Sequence, residues 1–298
     1  MGKTSVASAL GLLAAGRGKR TLVCEVDSKG NLADFYGVGP LSFKGSEVRP
    51  GLVAMAMDTE ESLKEYLSLQ LKVPLLARLG PLARTFDFVA NAAPGVKEIL
   101  TVGKLTYEVR EGNFDLVVVD ASATGHVVGQ LGSPVAINEL VTVGVVRHQT
   151  DWMIDILTDA ATTGVVVVTA PEEMPVSETL ELIGRLRAET DIDVATVVVN
   201  RVLPELFGRG EEAIFDVLRS PAGREALTAE VGPGITEVLA GAELAVNLRR
   251  GRVPHLTRLR EGLPPELPLL YLPYLFHRSH GVRATSRIAE ALGEEMGY

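Results

Sequence analysis

The chain of 298 residues contains one cysteine, Cys24. A lone thiol excludes a disulfide framework, a cysteine zinc cage and an iron–sulfur cluster held within one chain. Basic charge is in deficit: 29 Lys and Arg stand against 38 Asp and Glu, a net charge of −9. That balance argues against nucleic acid as the main partner, because phosphate binding needs a basic surface. Long hydrophobic runs are missing as well. Mean hydropathy is +0.21, yet the longest apolar stretches, such as Val165–Val168 or Leu140–Val146, fall far short of a bilayer span. Nothing at the start reads as a signal peptide, since Lys3 leads straight into an amphipathic segment, so the expected location is the cytoplasm. There is no Gly-x-Ser-x-Gly elbow to support a serine hydrolase, and Gly16-x-Gly18 follows a helical pattern and lacks a third glycine. No repeat period or low-complexity tract is visible.

What is present is an alternation of short β-branched runs with helical stretches. Thr21–Val26, Leu52–Met57, Leu116–Val119, Val165–Thr169, Val194–Val199 and Leu269–Leu272 read as strands buried on both faces. Between them lie amphipathic segments such as Ser5–Ala15, Val176–Ala188 and Val282–Met296. The pattern predicts an α/β fold with a doubly wound, mostly parallel sheet. Ligands in that architecture bind at the carboxyl ends of strands, which directs attention to Asp27, Asp58, Asp120, Ala170-Pro171, Asn200 and Pro273. Two stretches break the alternation. Thr59–Asn113 is helical throughout, with a capping-box spacing at Asp58 and Glu61, and Ser133–Gly164 is helical and unusually apolar. Both read as a helical subdomain on one edge of the sheet. A third helical stretch, Glu211–Arg260, ends in Arg249, Arg250 and Arg252, a solvated helix end rather than a nucleic-acid patch.

Three places carry candidate chemistry. Met1-Gly2-Lys3-Thr4 runs directly into a helix, and Gly-Lys-Thr at a helix N-terminus is the end of a phosphate-binding loop. There, backbone N–H groups and the helix dipole hold phosphates, the lysine reaches β/γ oxygens and the hydroxyl ligates Mg²⁺. Asp120 follows Leu-Val-Val-Val in the Walker-B manner, where a carboxylate holds the Mg²⁺ shell; capping of the next helix is the competing account. Asp27 ends a strand ahead of Ser-Lys-Gly-Asn31-Leu32, where it either orients an attacking water or caps the Asn31–Tyr36 turn.

Taken together, these landmarks resemble a known family. Asp27-x-x-x-Asn31-Leu32 and Asp120-x-x-x-Thr124-Gly125-His126 are similar to the two switch loops of the arsenical-pump ATPases. That family also includes the ATPases that target tail-anchored membrane proteins. The resemblance extends through Pro94-Gly95 with Glu98, Ala170-Pro171-Glu172 with Glu178-Thr179, Val-Val-Val-Asn200, and Leu272-Pro273 followed by Gly281. It implies one dimeric P-loop ATPase domain over residues 1–298, of the deviant Walker-A type, with residues 59–113 and 133–164 as helical insertions. ATP and Mg²⁺ are the implied cofactors. Gly2, Lys3, Thr4 and Ser5 would form the phosphate-binding turn, with Lys3 on β- and γ-phosphate oxygens. Thr4 and Asp120 would serve the metal. Asp27 would position or activate the water, with Asn31 beside it, and Thr124, Gly125 and His126 would sense the γ-phosphate. Asn200 would read the adenine, with Pro273, Leu275 and Phe276 packing against it.

The sequence also departs from that family. Its phosphate loop reads Gly-Lys-Gly-Gly-Val-Gly-Lys-Thr after a strand, whereas here Gly2 has only Met1 before it. The expectation is a start internal to the gene, at a GTG valine codon, with about twenty further residues supplying the central strand and the glycine-rich loop. The 298-residue form is accordingly expected to be poorly soluble and at best weakly active, since removing a central strand exposes its neighbours. One cysteine cannot supply the converging thiolates of arsenite triggering, and Cys24 reads as a buried small apolar residue. The Cys-x-x-Cys clasp and methionine-rich groove of the targeting branch are also missing. Leucine and valine around Leu63–Leu82 and Val135–Leu157 could line a groove for an apolar helix, or simply pack the subdomain core. His277 and His280 lack a third metal ligand and read as a loop beside the nucleotide or as plain surface. The acidic final helix argues against a membrane-surface ATPase of the same superfamily.

The reading that follows is a Mg²⁺-dependent ATPase switch, a homo- or heterodimer that acts on an unidentified client, an apolar or membrane protein being one possibility. The alternative is a non-catalytic subunit that pairs with a complete paralogue and uses its helical subdomain as a binding module.

Overall fold

The computed structural model describes residues 1–27, 30–71, 95–122, 124–141, 143–276 and 281–298. The chain alternates helix and strand as α1 (Lys3–Gly16), β1 (Thr21–Glu25), α2 (Asn31–Tyr36), β2 (Ser46–Arg49), β3 (Leu52–Ala56), α3 (Thr59–Leu71), α4 (Val96–Arg110), β4 (Leu116–Asp120) and α5 (Thr124–Leu140). It continues with α6 (Val145–Thr158), β5 (Val165–Thr169), α7 (Glu173–Glu189), β6 (Val194–Val202), α8 (Arg209–Leu218), α9 (Pro221–Val231), α10 (Ile235–Gly262), β7 (Leu269–Pro273) and α11 (Val282–Glu295).

The strands form a mostly parallel α/β fold. One sheet has the order β2-β3-β1-β4 and a second the order β5-β6-β7, every pairing being parallel except β2 with β3. Helices cover both faces, as doubly wound sheets require. On the first sheet, Val23, Leu52 and Val118 face α1 and α2 through Ala7, Leu32 and Tyr36. Their alternating neighbours Leu22, Cys24 and Met55 pack with Leu105 of α4. On the second sheet, Val167, Val197 and Val199 meet α7 and α10 through Val176, Leu186 and Leu259, and the opposite residues Val168 and Val198 meet Leu292 of α11. Strand periodicity of two produces this division of side chains between faces.

α1 joins the two sheets. Ala7, Leu12 and Ala15 belong to the core on the first sheet, Val6 and Leu13 to that on the second, and Leu10 touches both. Gly11 permits its close approach, because a Cβ there would lie 2.4 Å from Val23 Cγ2 and 2.9 Å from the Tyr36 hydroxyl.

All six expected strands form, but their burial is uneven. β1 is buried at every position, whereas Val119 of β4 is 39% exposed and Val166 of β5 is 38% exposed. These two strands end their respective sheets, and no ladder joins them among the described residues. β2 has no counterpart in the sequence reading: only Val48 of its four residues is buried, so it carries no apolar run. The stretch from 211 to 260 is three helices rather than one. Ser220 breaks it by accepting a 3.2 Å hydrogen bond from the Gly223 amide, with Pro221 in the first turn. Asp58 caps α3 as its spacing suggests, accepting from the Glu61 amide at 2.8 Å. No helix among the described residues is long and apolar enough to cross a membrane.

Candidate functional site

The site lies where α1 begins, at the carboxyl ends of β1, β4 and β6. Gly2 precedes α1 with φ +94°, a left-handed conformation that glycine adopts without a Cβ penalty. Space demands glycine too: a Cβ would sit 2.3 Å from Asn200 Nδ2. The Gly2 carbonyl accepts from the Val6 amide at 3.0 Å and closes the first helical turn. The first amides of a helix point outward without partners and the dipole is positive there, an environment suited to anions.

The two side chains that follow reach across to β4. The Thr4 hydroxyl donates to Asp120 Oδ2 at 2.7 Å, and the Lys3 ammonium donates to the Ser122 carbonyl at 2.6 Å. Asp120 is buried. Burial pushes its carboxyl above the ordinary value, the Thr4 hydrogen bond and the Lys3 charge pull it down, and Glu25 and Asp27 push it up again. A hydroxyl and a carboxylate in contact, beside an ammonium and a helix N-terminus, form a set of hard oxygen ligands and positive charge. Mg²⁺ and phosphate oxygens are the species such a set suits.

β1 brings Asp27 to the same end. Glu25 pairs in register with Asp120, and the Val26 amide donates to the Asp120 carbonyl at 3.2 Å. Glu25 itself is a site residue that the sequence did not reveal. It is buried, its Oε1 accepts from the Asn31 amide at 3.0 Å, and its Oε2 has no hydrogen-bond partner among the described residues. A glutamate closing an apolar run ordinarily faces solvent, and the only hint was its place two residues before Asp27. Ser122 was missed as well, because it contributes a backbone carbonyl and no side-chain signal exists for that.

The other expected residues are distributed as follows. Ser5 is buried in the first turn of α1. Asn31 opens α2. Thr124 opens α5, and Gly125 and His126 are exposed in its first turn. Asn200 lies in β6, donating to the Met1 carbonyl at 3.0 Å and accepting from the Arg201 amide at 2.9 Å. β7 ends at Pro273, and the Tyr274 amide donates to the Val202 carbonyl at 2.8 Å, which ties the loop carrying Leu275 and Phe276 to the end of β6. Phe276 is exposed, edge-on to Tyr274 with ring centroids 4.9 Å apart. Ser28, Lys29, Pro94, His277 and His280 lie outside the described residues. No group of three or more His, Cys, Asp or Glu residues poised for a metal ion occurs among the described residues.

Burial pushes the Cys24 thiol up to about 12, with Asp120 and Glu25 adding to the shift, which agrees with an inert core residue. Arg249, Arg250 and Arg252 lie in the middle of α10 rather than at a helix end, because the helix continues to Gly262, and they pair with Glu205, Glu212 and Glu172 at 3.2, 2.9 and 3.6 Å. The arginine run is therefore neutralised locally.

Residues 1–150 and 144–211 match the family model described as anion-transporting ATPase. The chain is 31% identical over 214 residues to a Mycobacterium tuberculosis protein named ATPase BagA, covering 68% of this chain and 62% of that protein. It thus spans less than two thirds of that relative's length. It is 24% identical over 238 residues to a putative arsenical pump-driving ATPase of Aquifex aeolicus, covering 69% and 78% of the two chains. It is 24% identical over 245 residues to an ASNA1 homolog of Entamoeba dispar, named as an ATPase, covering 68% and 74%.

Proposed function

The chain belongs to the anion-transporting ATPase family, and on that premise we propose that it is a Mg²⁺-dependent ATP-hydrolysing switch. The observation that carries this reading is the meeting of Lys3, Thr4 and Asp120, with the Thr4 hydroxyl 2.7 Å from the Asp120 carboxylate.

In this reading Lys3 and the amides opening α1 hold the phosphate oxygens of ATP. Thr4 and Asp120 offer oxygens to Mg²⁺, which, when bound, offsets negative charge on the phosphates. Asp27 orients the water that attacks the γ-phosphorus and accepts its proton. Asn31 sits beside it at the start of α2, and Glu25 fixes that start by accepting the Asn31 amide. Thr124, Gly125 and His126 sense the γ-phosphate at the N-terminus of α5. Asn200 and the Pro273–Phe276 loop form the side that receives the adenine.

The same reading extends to assembly. Within residues 59–113 and 133–164, of which 72–94 and 142 lie outside the described residues, helices α3 to α6 act as a helical subdomain that follows the state of the two switches, because losing the γ-phosphate removes the contacts that order them. The chain works as a dimer, with itself or a paralogue, on an apolar or membrane-protein client.

Asp27→Asn is the test. ATP binding, followed by equilibrium fluorescence of a labelled nucleotide, is expected to persist, while Mg²⁺-dependent phosphate release falls to background. Unchanged phosphate release in the variant would sink the assignment of Asp27. A wild-type protein that pairs with a complete paralogue and contributes no turnover would replace the enzyme with a binding subunit.

A further inference from the structure

Away from the nucleotide site, α3, α4, α5 and α6 enclose a cavity of about 520 Å³, within the ~300–1,000 Å³ that small-molecule sites occupy. Its walls are largely apolar, with Leu63, Ile99, Leu100, Ile137, Val146 and Met153 among them. Polar groups interrupt this lining, Glu65, Lys104, Tyr107, Arg110, His148 and Gln149 among them. Two acceptors there are engaged: Glu65 accepts from Lys104 at 2.8 Å, and the Gln149 Oε1 accepts from the Tyr66 hydroxyl at 2.7 Å. Glu108 also takes Lys104 at 2.6 Å, so the lysine's charge is spent on two carboxylates.

Three donors are left over. Gln149 is buried, and once its oxygen has accepted from Tyr66 its amide NH₂ has no acceptor among the described residues. Trp152, one turn further along α6, has an indole N–H with no acceptor there either. The Arg110 guanidinium lies over the Trp152 ring, 4.8 Å from its centroid, and pairs with no carboxylate among the described residues. A cation without a carboxylate partner and donors without acceptors, among the described residues lining one apolar cavity, are complementary to an anion with an apolar body.

We propose that this cavity binds an apolar organic anion, with its hydrocarbon body along Leu63, Ile99 and Met153 and its carboxylate-type head against Arg110, Trp152 and Gln149. An apolar protein helix suits the same walls less well. Its own carbonyls are spent within the helix, so it would leave the Gln149 and Trp152 donors unpaired in a desolvated place. The site stands apart from the nucleotide and does not depend on hydrolysis.

The experiment is a fluorescence titration of the purified protein with dansyl-undecanoate, followed by competition with dodecanoate, dodecanol and an apolar helical peptide. The expected result is saturable binding of one probe per chain, with dodecanoate displacing it about tenfold better than dodecanol. Arg110→Gln is expected to weaken the probe about tenfold while Arg110→Lys recovers part of the loss. Arg110 is exposed, so both variants keep the fold, which circular dichroism verifies. Val146→Trp, placed to fill the cavity, provides a second route by excluding the probe. Absence of saturable binding, equal displacement by dodecanol, or displacement by the peptide alone would each overturn the proposal.

Discussion

The Thr4 hydroxyl donates a 2.7 Å hydrogen bond to Oδ2 of Asp120 across 116 residues of sequence, and so fixes the start of α1 against the carboxyl end of β4. Both oxygens belong to the proposed Mg²⁺ shell, so the contact holds the two ligands together before metal arrives. Asp120→Asn keeps the size of the side chain and an acceptor for Thr4 but removes the charge. Turnover is expected to fall about 100-fold or more, the scale of losing one preorganised electrostatic contact. ATP binding should fall far less. Steady-state phosphate release over a Mg²⁺ series measures both effects, and a wild-type rate in the variant would remove Asp120 from the site.

Gly11 tests whether α1 is seated as tightly as it looks. In an exposed helix Gly→Ala gains up to ~1 kcal/mol of helix propensity. Here the new methyl would meet Val23 Cγ2 at 2.4 Å, inside a core that joins α1 to β1. Overpacking of that kind costs about 1–3 kcal/mol, so the clash outweighs the propensity. Urea unfolding of Gly11→Ala should show a lower midpoint with an unchanged slope. A raised midpoint would mean that α1 moves freely over the sheet.

These two contacts mark what could be read from the sequence. Thr4 and Asp120 were each visible as ends of a helix and a strand, because a β-branched run and a Gly-Lys-Thr turn are local signals. The central strands were legible for the same reason. β2 was not, since a strand with only Val48 turned inward has no apolar alternation to find. The breaks that divide residues 211–260 into three helices were written in Ser220-Pro221 and in the glycines at 232 and 234. They were outweighed by the helical periodicity around them. The apolar wall between α3 and α6 was legible as leucine and valine in two helical stretches, but the cavity's volume and the donors on its lining were not, because they arise from packing among four helices distant in sequence.

Asp115 supplies a prediction about pH. Its carboxylate takes the Arg20 guanidinium at 2.7 Å and the Arg20 amide at 2.8 Å. The Arg20 side-chain hydrogen bond, and then the amide, hold the Asp115 carboxyl down at about 2, against about 3.9 for an unperturbed aspartate. A group depressed in the folded state contributes stability that is present above about 3.9 and is lost as pH falls through about 2. Carbon-13 NMR should find the Asp115 midpoint near 2 in the native protein. In Arg20→Gln it should move upward but stop short of the free value, because the residue 20 amide remains a donor. High salt should weaken the wild-type shift, since Arg20 is exposed. An Asp115 midpoint unaffected by Arg20→Gln would show that the pair does not form in solution.

Glu25 leads to the last prediction, in which stability and function are expected to part. Its Oε1 is used by the Asn31 amide and its Oε2 by no donor among the described residues, in a side chain that is 2% exposed. A buried polar atom without a partner costs about 1–3 kcal/mol, and the mutual repulsion with Asp120 adds to that cost. Glu25→Gln retains the oxygen that holds Asn31 and removes the negative charge. It should raise the urea midpoint by the equivalent of ~1 kcal/mol, because the strain of an unpaired anion is released. Glu25→Ala leaves the Asn31 amide without its acceptor and should lower the midpoint. The two variants therefore move in opposite directions, whereas a carboxylate that merely anchored the fold would make both destabilising. A stabilised Glu25→Gln would mark this charge as one kept at a cost to stability, as happens where a site needs a field that folding alone would not select.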